Sequence, residues 1–208
     1  MKFEELLQLL NGEPLFSSSL LLAGNISPNL IQKQLSRWVA KGKLIQLRRS
    51  LYALSDPYLK TELHPFLIAN MLKKASYISM QSALAHYNTI PEYVPVTTSV
   101  TTGRPEEINT EFGKYIFRHI KKNLFWGYTE IELVGRSKAF IATVEKALLD
   151  LIYLTPDSDN MDFIYELRLQ NEEKININTL IEYSKKFGTP KMQRAVSLLI
   201  DTLKINKI

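Results

Sequence analysis

The sequence contains no cysteine. That removes disulfides, thiolate metal sites and cysteine nucleophiles together. Histidine is scarce as well: His64, His86 and His119, the three present, stand too far apart for a local metal spacing such as H-x-x-x-H. No two of the eight glycines lie closer than eight residues. Neither a dinucleotide-binding G-x-G-x-x-G nor a phosphate-cradling P-loop can therefore be written, and no G-x-S-x-G elbow exists. Long apolar runs are also missing. The longest uncharged stretch, Pro14 to Gln32, is broken by two prolines and by serines and asparagines, so it does not read as a bilayer span. The opening Met-Lys-Phe-Glu-Glu puts acids where a secretory leader needs a basic and then an apolar stretch. These absences predict a cytoplasmic chain that is not an enzyme, without membrane segment, metal or cofactor.

Acid is absent locally, and there the absence turns into a signal. Between Pro14 and Ser55 there is no Asp or Glu, while Lys33, Arg37, Lys41, Lys43, Arg48 and Arg49 fall within seventeen residues. Residues 1–60 hold eight Lys/Arg against four Asp/Glu, and residues 61–208 hold eighteen against seventeen. The net charge of +5 thus sits mostly at the front, as in a polyanion-binding module on a nearly neutral body. A solvated basic face is the plainer alternative. With 208 residues and 45% hydrophobic content, the chain is long enough for one large domain or two small ones, each with a core.

Phe3, Leu6, Leu7 and Leu10 recur at helical spacing and Asn11-Gly12 ends that helix. Ser17 is placed to cap a second helix carrying Leu20, Leu21 and Leu22, stopped at Gly24-Asn25. Ser27 is the N-cap candidate of a third, with Pro28 at its first position, where a missing N–H costs nothing. Ile31, Leu35, Trp38 and Val39 form its apolar stripe, and Asn29, Gln32, Lys33, Ser36 and Ala40 lie opposite. After Gly42, residues 43–48 and 51–54 read as a hairpin turning at Arg49-Ser50. Helix, helix, turn, helix, hairpin is the order of a winged helix-turn-helix. Its third helix would enter the DNA major groove, where Asn and Gln suit adenine, Lys suits guanine and Ser suits either. The expected DNA contacts are Ser27, Asn29, Gln32, Lys33 and Ser36 on the helix. Arg37, Lys41, Lys43, Arg48 and Arg49 are expected on phosphate and at the wing.

Asp56-Pro57 closes the hairpin, which suggests a boundary near residues 56–62 and two domains, 1–60 and 61–208, with separate cores. In the second part, helices are expected at about 62–74, 79–88, 144–154, 160–170, 178–187 and 190–204. Strands are expected at 93–103, 112–120, 130–134 and 138–142. Strands in the middle flanked by helices imply α+β, with a small, mostly antiparallel sheet. Arg104, Lys114, Arg118, His119, Lys121 and Lys122 would gather into a basic cluster if the strands at 93–103 and 112–120 pair. Tyr115, Phe117, Phe125, Trp126 and Tyr128 read as core in preference to a base-stacking platform. Glu145 and Asp150, five apart on a helix, diverge and make no carboxylate pair.

The segment Arg37-Trp-Val-Ala-Lys-Gly-Lys-Leu-Ile-Gln-Leu-Arg-Arg-Ser-Leu-Tyr-Ala-Leu54 resembles the winged-helix segment of AbiEi-type antitoxins of bacterial abortive-infection systems. The body agrees in Tyr77-Ile-Ser-Met-Gln-Ser-Ala-Leu-Ala-His-Tyr87, Thr97-Thr-Ser-Val-Thr-Thr-Gly-Arg104, Phe117-Arg-His-Ile-Lys121 and Phe140-Ile-Ala-Thr-Val-Glu-Lys-Ala-Leu-Leu-Asp150. Ser50 stands where that family usually has Gly, and Val144 where it usually has Pro. The resemblance implies a two-part protein of a type IV toxin–antitoxin system. Its front represses its own operon by binding double-stranded DNA with repeated half-sites. Its body counteracts a nucleotidyltransferase toxin, with or without a stable complex. Two other readings compete. One is an enzyme or RNA-binding body that modifies or masks the toxin's substrate through the basic strand. The other is a lone winged-helix transcription factor that senses a small ligand.

Overall fold

The computed structural model describes residues 1–23, 27–60 and 62–205. The expected helix stop at Gly24-Asn25 lies outside them. The chain is α+β, with a three-stranded antiparallel sheet at the front and a six-stranded sheet in the body.

At the front, α1 (Phe3–Leu10) ends at Asn11, whose left-handed φ of 46° suits a helix stop. The segment expected as a second α-helix behaves differently. Leu15–Ser17 is a short strand, β1, and Ser18–Ala23 is a 3-10 turn. Ser17 still serves as a cap, its Oγ accepting the Ser19 N–H at 3.3 Å. Next come α2 (Pro28–Ala40), β2 (Leu44–Arg48) and β3 (Leu51–Leu54). The sheet order is β1-β3-β2, both pairings antiparallel, with a bulge between Gln46 and Arg48.

This small sheet has core on both sides, and strand alternation explains how. Phe16, Leu44, Tyr52 and Leu54 face a core with Phe3, Leu6, Ile31, Leu35 and Trp38. Their neighbours Leu15, Leu47, Leu51 and Ala53 belong to the core of the body. Two hydrophobic clusters exist, one per segment, but the front sheet is a wall shared by both. Leu59 of the connector packs against each of them.

The body contains α3 (Pro65–Leu72), β4 (Ser76–Ile78), α4 (Met80–His86), β5 (Val96–Thr101), β6 (Glu106–Thr110) and β7 (Gly113–His119). It continues with β8 (Tyr128–Glu132), β9 (Lys138–Ala142), α5 (Val144–Leu154), α6 (Met161–Glu166), α7 (Ile177–Phe187) and α8 (Pro190–Ile205). The sheet runs β6-β7-β5-β4-β9-β8. The expectation of a small, mostly antiparallel sheet is corrected here. The sheet is mixed, because β5 pairs with β7 and β4 with β9 in parallel. β4 and β9 are separated by a long stretch of chain that leaves room for a crossover, whereas β5 returns parallel to β7 through β6, which runs back along the sheet edge outside β7. β4 and β6 escaped the sequence reading, one for its three residues and the other for its polar Glu-Glu-Ile-Asn-Thr.

Helix α5 starts at Thr143, whose side chain accepts the Lys146 N–H. Every residue from Val144 to Ile152 is buried, so this helix is enclosed all round by the sheet and by α4, α7 and α8. Among the described residues no helix is long and apolar enough to cross a membrane.

Candidate nucleic-acid interface

Helix α2 divides into two faces. Ile31, Leu35 and Trp38 are buried, while Asn29, Gln32, Lys33, Ser36 and Arg37 are exposed and together line a shallow concavity along the outer side. Burial of the first set fixes the helix on Phe3, Phe16 and Tyr52 and leaves the second nothing to touch but solvent or a ligand. Pro28 holds the first helical position. Ser27 is the N-cap by backbone, yet its side chain makes no capping bond, so its hydroxyl is not engaged in holding the helix start.

A groove runs between α2 and the hairpin, lined by Gln32 on one side and by Gln46, Arg49, Ser50 and Tyr52 on the other. Gln46 was not among the expected contacts. Its only signal was its polar character between Ile45 and Leu47; Gln46 is exposed although Leu44, two residues before it, is buried, and a bulge follows between Gln46 and Arg48. Ser50 takes a φ of 70° at the hairpin turn. That left-handed conformation favours glycine, so the serine holds the turn that the resembled family fills with Gly. The Ser18 N–H donates to the Ser50 carbonyl at 2.8 Å and ties the tip to the 3-10 turn.

The expected cations separate into two groups. Among the described residues Lys33, Arg37, Lys41 and Arg49 have no ion-pair partner and all four are exposed. The acid-free segment guarantees that no local carboxylate can neutralise them. Lys43 is placed otherwise, with its ammonium 4.5 Å from the Phe3 ring centroid and 5.9 Å from that of Tyr58. It closes the core of the front segment instead of standing free on the outer surface. Arg48 is also engaged: it donates to the Leu72 carbonyl at 3.1 Å and lies 3.5 Å from Glu106 of β6.

In the body, β5 and β7 do pair, with Thr101 opposite His119. His119 Nδ1 lies 2.9 Å from the Gly103 carbonyl, and Arg118 donates to the Leu154 carbonyl at 3.0 Å. Arg104, Lys121 and Lys122 are exposed nearby in sequence. Lys114 does not join them. It sits at the far end of β7, opposite Val96, and pairs with Glu107 at 2.7 Å. At about 3.3 Å per residue, the five steps from His119 place it roughly 16 Å away. The aromatic residues divide as well. Tyr115 and Phe117 are buried, whereas Tyr128 is 37% exposed and stacks on Tyr77 at 4.7 Å.

One polar cluster went unread in the sequence. Lys146 and Asp150, one helical turn apart on α5, form an ion pair with both side chains fully buried. Tyr77 donates to Asp150 at 3.0 Å and Ser79 at 2.8 Å, and Lys146 donates to the Tyr77 oxygen at 2.9 Å. Burial pushes Lys146 down and Asp150 up, each toward its neutral form, and each is opposed by its partner's charge. Rings of Trp126, Tyr77 and Phe187 surround the ammonium at 5.1 to 5.4 Å. The side chains of Lys146 and Asp150 are sealed from solvent, as are Tyr77 and Ser79. The cluster is therefore an internal brace. Among the described residues no three His, Asp or Glu converge as metal ligands.

No protein-family model matches this chain, and no curated protein matches it.

Proposed function

We propose that the chain is a sequence-specific DNA-binding repressor whose front segment is a winged helix-turn-helix. In this reading α2 enters the major groove and the β2–β3 hairpin is the wing. The carrying observation is the outer face of α2. Two amides, a lysine, a serine and an arginine are exposed together beside Arg49, within a segment that contains no acid. A helix fits the major groove, and these side-chain types match base edges and phosphates there. The helix–strand–turn–helix–hairpin order and the β1-β3-β2 sheet support the same reading. One small module needs a repeated half-site for useful affinity, so an operator with repeated half-sites is the expected ligand. By its resemblance to AbiEi-type antitoxins, the body counteracts a nucleotidyltransferase toxin encoded beside it.

A salt titration on the chain's own promoter DNA tests the first half. Four unpaired cations, Lys33, Arg37, Lys41 and Arg49, predict a log–log salt slope of roughly −3 to −4. Gln32→Ala should cost about 1–3 kcal/mol at the cognate site and leave binding to random DNA nearly unchanged. Arg49→Ala should weaken both and flatten the slope by about one. A flat salt response, or equal loss from both substitutions on both DNAs, removes the groove assignment. The second half is tested by co-expression with the neighbouring toxin. Protection should persist in a Lys33→Ala/Arg37→Ala variant that no longer represses. Loss of protection in that variant would make repression the whole antidote.

A further inference from the structure

Hairpin and body meet at an ion cluster that the groove assignment leaves unused. Arg48 ends β2, and its guanidinium crosses to the Leu72 carbonyl at 3.1 Å and to both carboxylate oxygens of Glu106 at 3.5 Å. Lys73, just after α3, reaches the same carboxylate at 3.0 Å and the Arg104 carbonyl at 2.7 Å. Its ammonium also lies 5.3 Å from the Phe117 ring centroid, which limits where it can swing. Two cations, one from the hairpin and one from the body, thus converge on one anion, each oriented by a backbone carbonyl. Pre-oriented cationic donors of this kind suit a phosphodiester oxygen.

We propose that Arg48 and Lys73 form a phosphate-contact site across the seam, extending the wing's footprint onto the body, and that Glu106 competes with DNA for it. This rests on the DNA-binding reading above. The Glu106 side chain is 33% exposed and that of Arg48 43%, so their pair is partly hydrated, weak and displaceable by a polyanion that releases counterions. The hydrogen bond from Lys73, followed by the charges of Lys73 and Arg48, holds the Glu106 carboxyl below its ordinary range. Near neutral pH it stays an anion, and another anion is what vacates the site. Lys74 and Arg104, both exposed, flank it in sequence.

The test uses the full chain and a random-sequence DNA duplex, because phosphate contacts carry no sequence preference. Glu106→Gln keeps the shape and a hydrogen-bonding group but loses the charge. It should bind about two- to fivefold tighter, with a salt slope steeper by about one. Adding Arg48→Gln should remove part of both gains, and adding Arg48→Gln with Lys73→Gln should return both to the wild-type values. Glu107→Gln, which removes the same charge one residue away from its partner Lys114, should leave the slope alone. An unchanged slope or weaker binding in Glu106→Gln, or an equal shift in Glu107→Gln, overturns the competition. If the wild-type chain binds no DNA in the same titration, the DNA-binding reading itself fails, and the competition with it.

Discussion

Lys146 and Asp150 show how a single spacing can be visible and its meaning hidden. The two are four residues apart, the separation at which helix side chains meet. On an exposed helix such a pair is worth a few tenths of a kcal/mol. Here α5 is buried on all sides, and an uncompensated charge there is costly. Asp150→Ala would leave Lys146 facing Trp126 and Phe187 and would deprive Tyr77 and Ser79 of their acceptor. We expect it to cost about 3–5 kcal/mol in urea unfolding, and Lys146→Met with Asp150 retained to behave alike. The double variant Lys146→Met/Asp150→Leu should recover the part of that loss owed to the unpaired charge, but not the part owed to the Tyr77 and Ser79 hydroxyls, which still lack their acceptor. Additive losses would mean that the brace holds through packing and not charge. Gly127 belongs to the same brace: at φ 75° a Cβ would stand 2.9 Å from the Lys146 side chain. No sequence motif announces that close approach.

At the scale of elements, periodicity located the helices well and the polar or very short strands badly. Amphipathic stripes made α1, α2 and α7 readable, and Thr143, Gly188 and Pro190 marked the start of α5, the end of α7 and the start of α8 as expected. β1 was misread because three residues cannot display alternation, and its pairing with β3 is settled by a distant strand. Helix α3 carries an unusual cap that leads to a pH prediction. His64 Nδ1 accepts the Phe66 N–H at 3.1 Å, which requires that nitrogen to be unprotonated. Burial first, then the nearby His86, holds the His64 pKa below its ordinary value, against an opposing pull from Glu62. The unfolded chain therefore binds the proton more readily. The cap's contribution is present above the unfolded value of about 6.5 and is lost as pH falls through the lower folded value. His64→Asn keeps a capping acceptor that does not titrate. Its thermal midpoint should fall less between pH 7 and pH 5 than that of the wild-type chain. Parallel curves would show that His64 does not carry the acid sensitivity.

For the whole molecule, the decisive feature is the shared wall. A front segment with its own core suggests a module that could be cut away near residues 56–62. Cutting there would expose Leu15, Leu47, Leu51 and Ala53, which the body now covers. Each buried leucine contributes about 1.5–3 kcal/mol, a large part of what a small domain has. A fragment of residues 1–60 is therefore expected to self-associate or unfold at low urea. In the full chain, Leu51→Ala should cost about 2–5 kcal/mol. Sedimentation of the fragment checks the first expectation: a monomer with a sharp unfolding transition would show that the seam is dispensable. The same wall brings the hairpin to β6, which is why Arg48 meets Glu106 across 58 residues of chain.

By itself the sequence determined the α+β class, most of the helices, the hairpin and the exposed face of α2. Each of these depends on near neighbours: helical stripes, capping residues, turn residues and a stretch without acid. Tertiary structure alone decided the mixed strand order, the double-sided front sheet, the engagement of Lys43 and Arg48, and the partners of Lys146 and Asp150. These depend on residues tens of positions apart. A strand's alternation says that two faces exist, but only the packed chain says what each face meets.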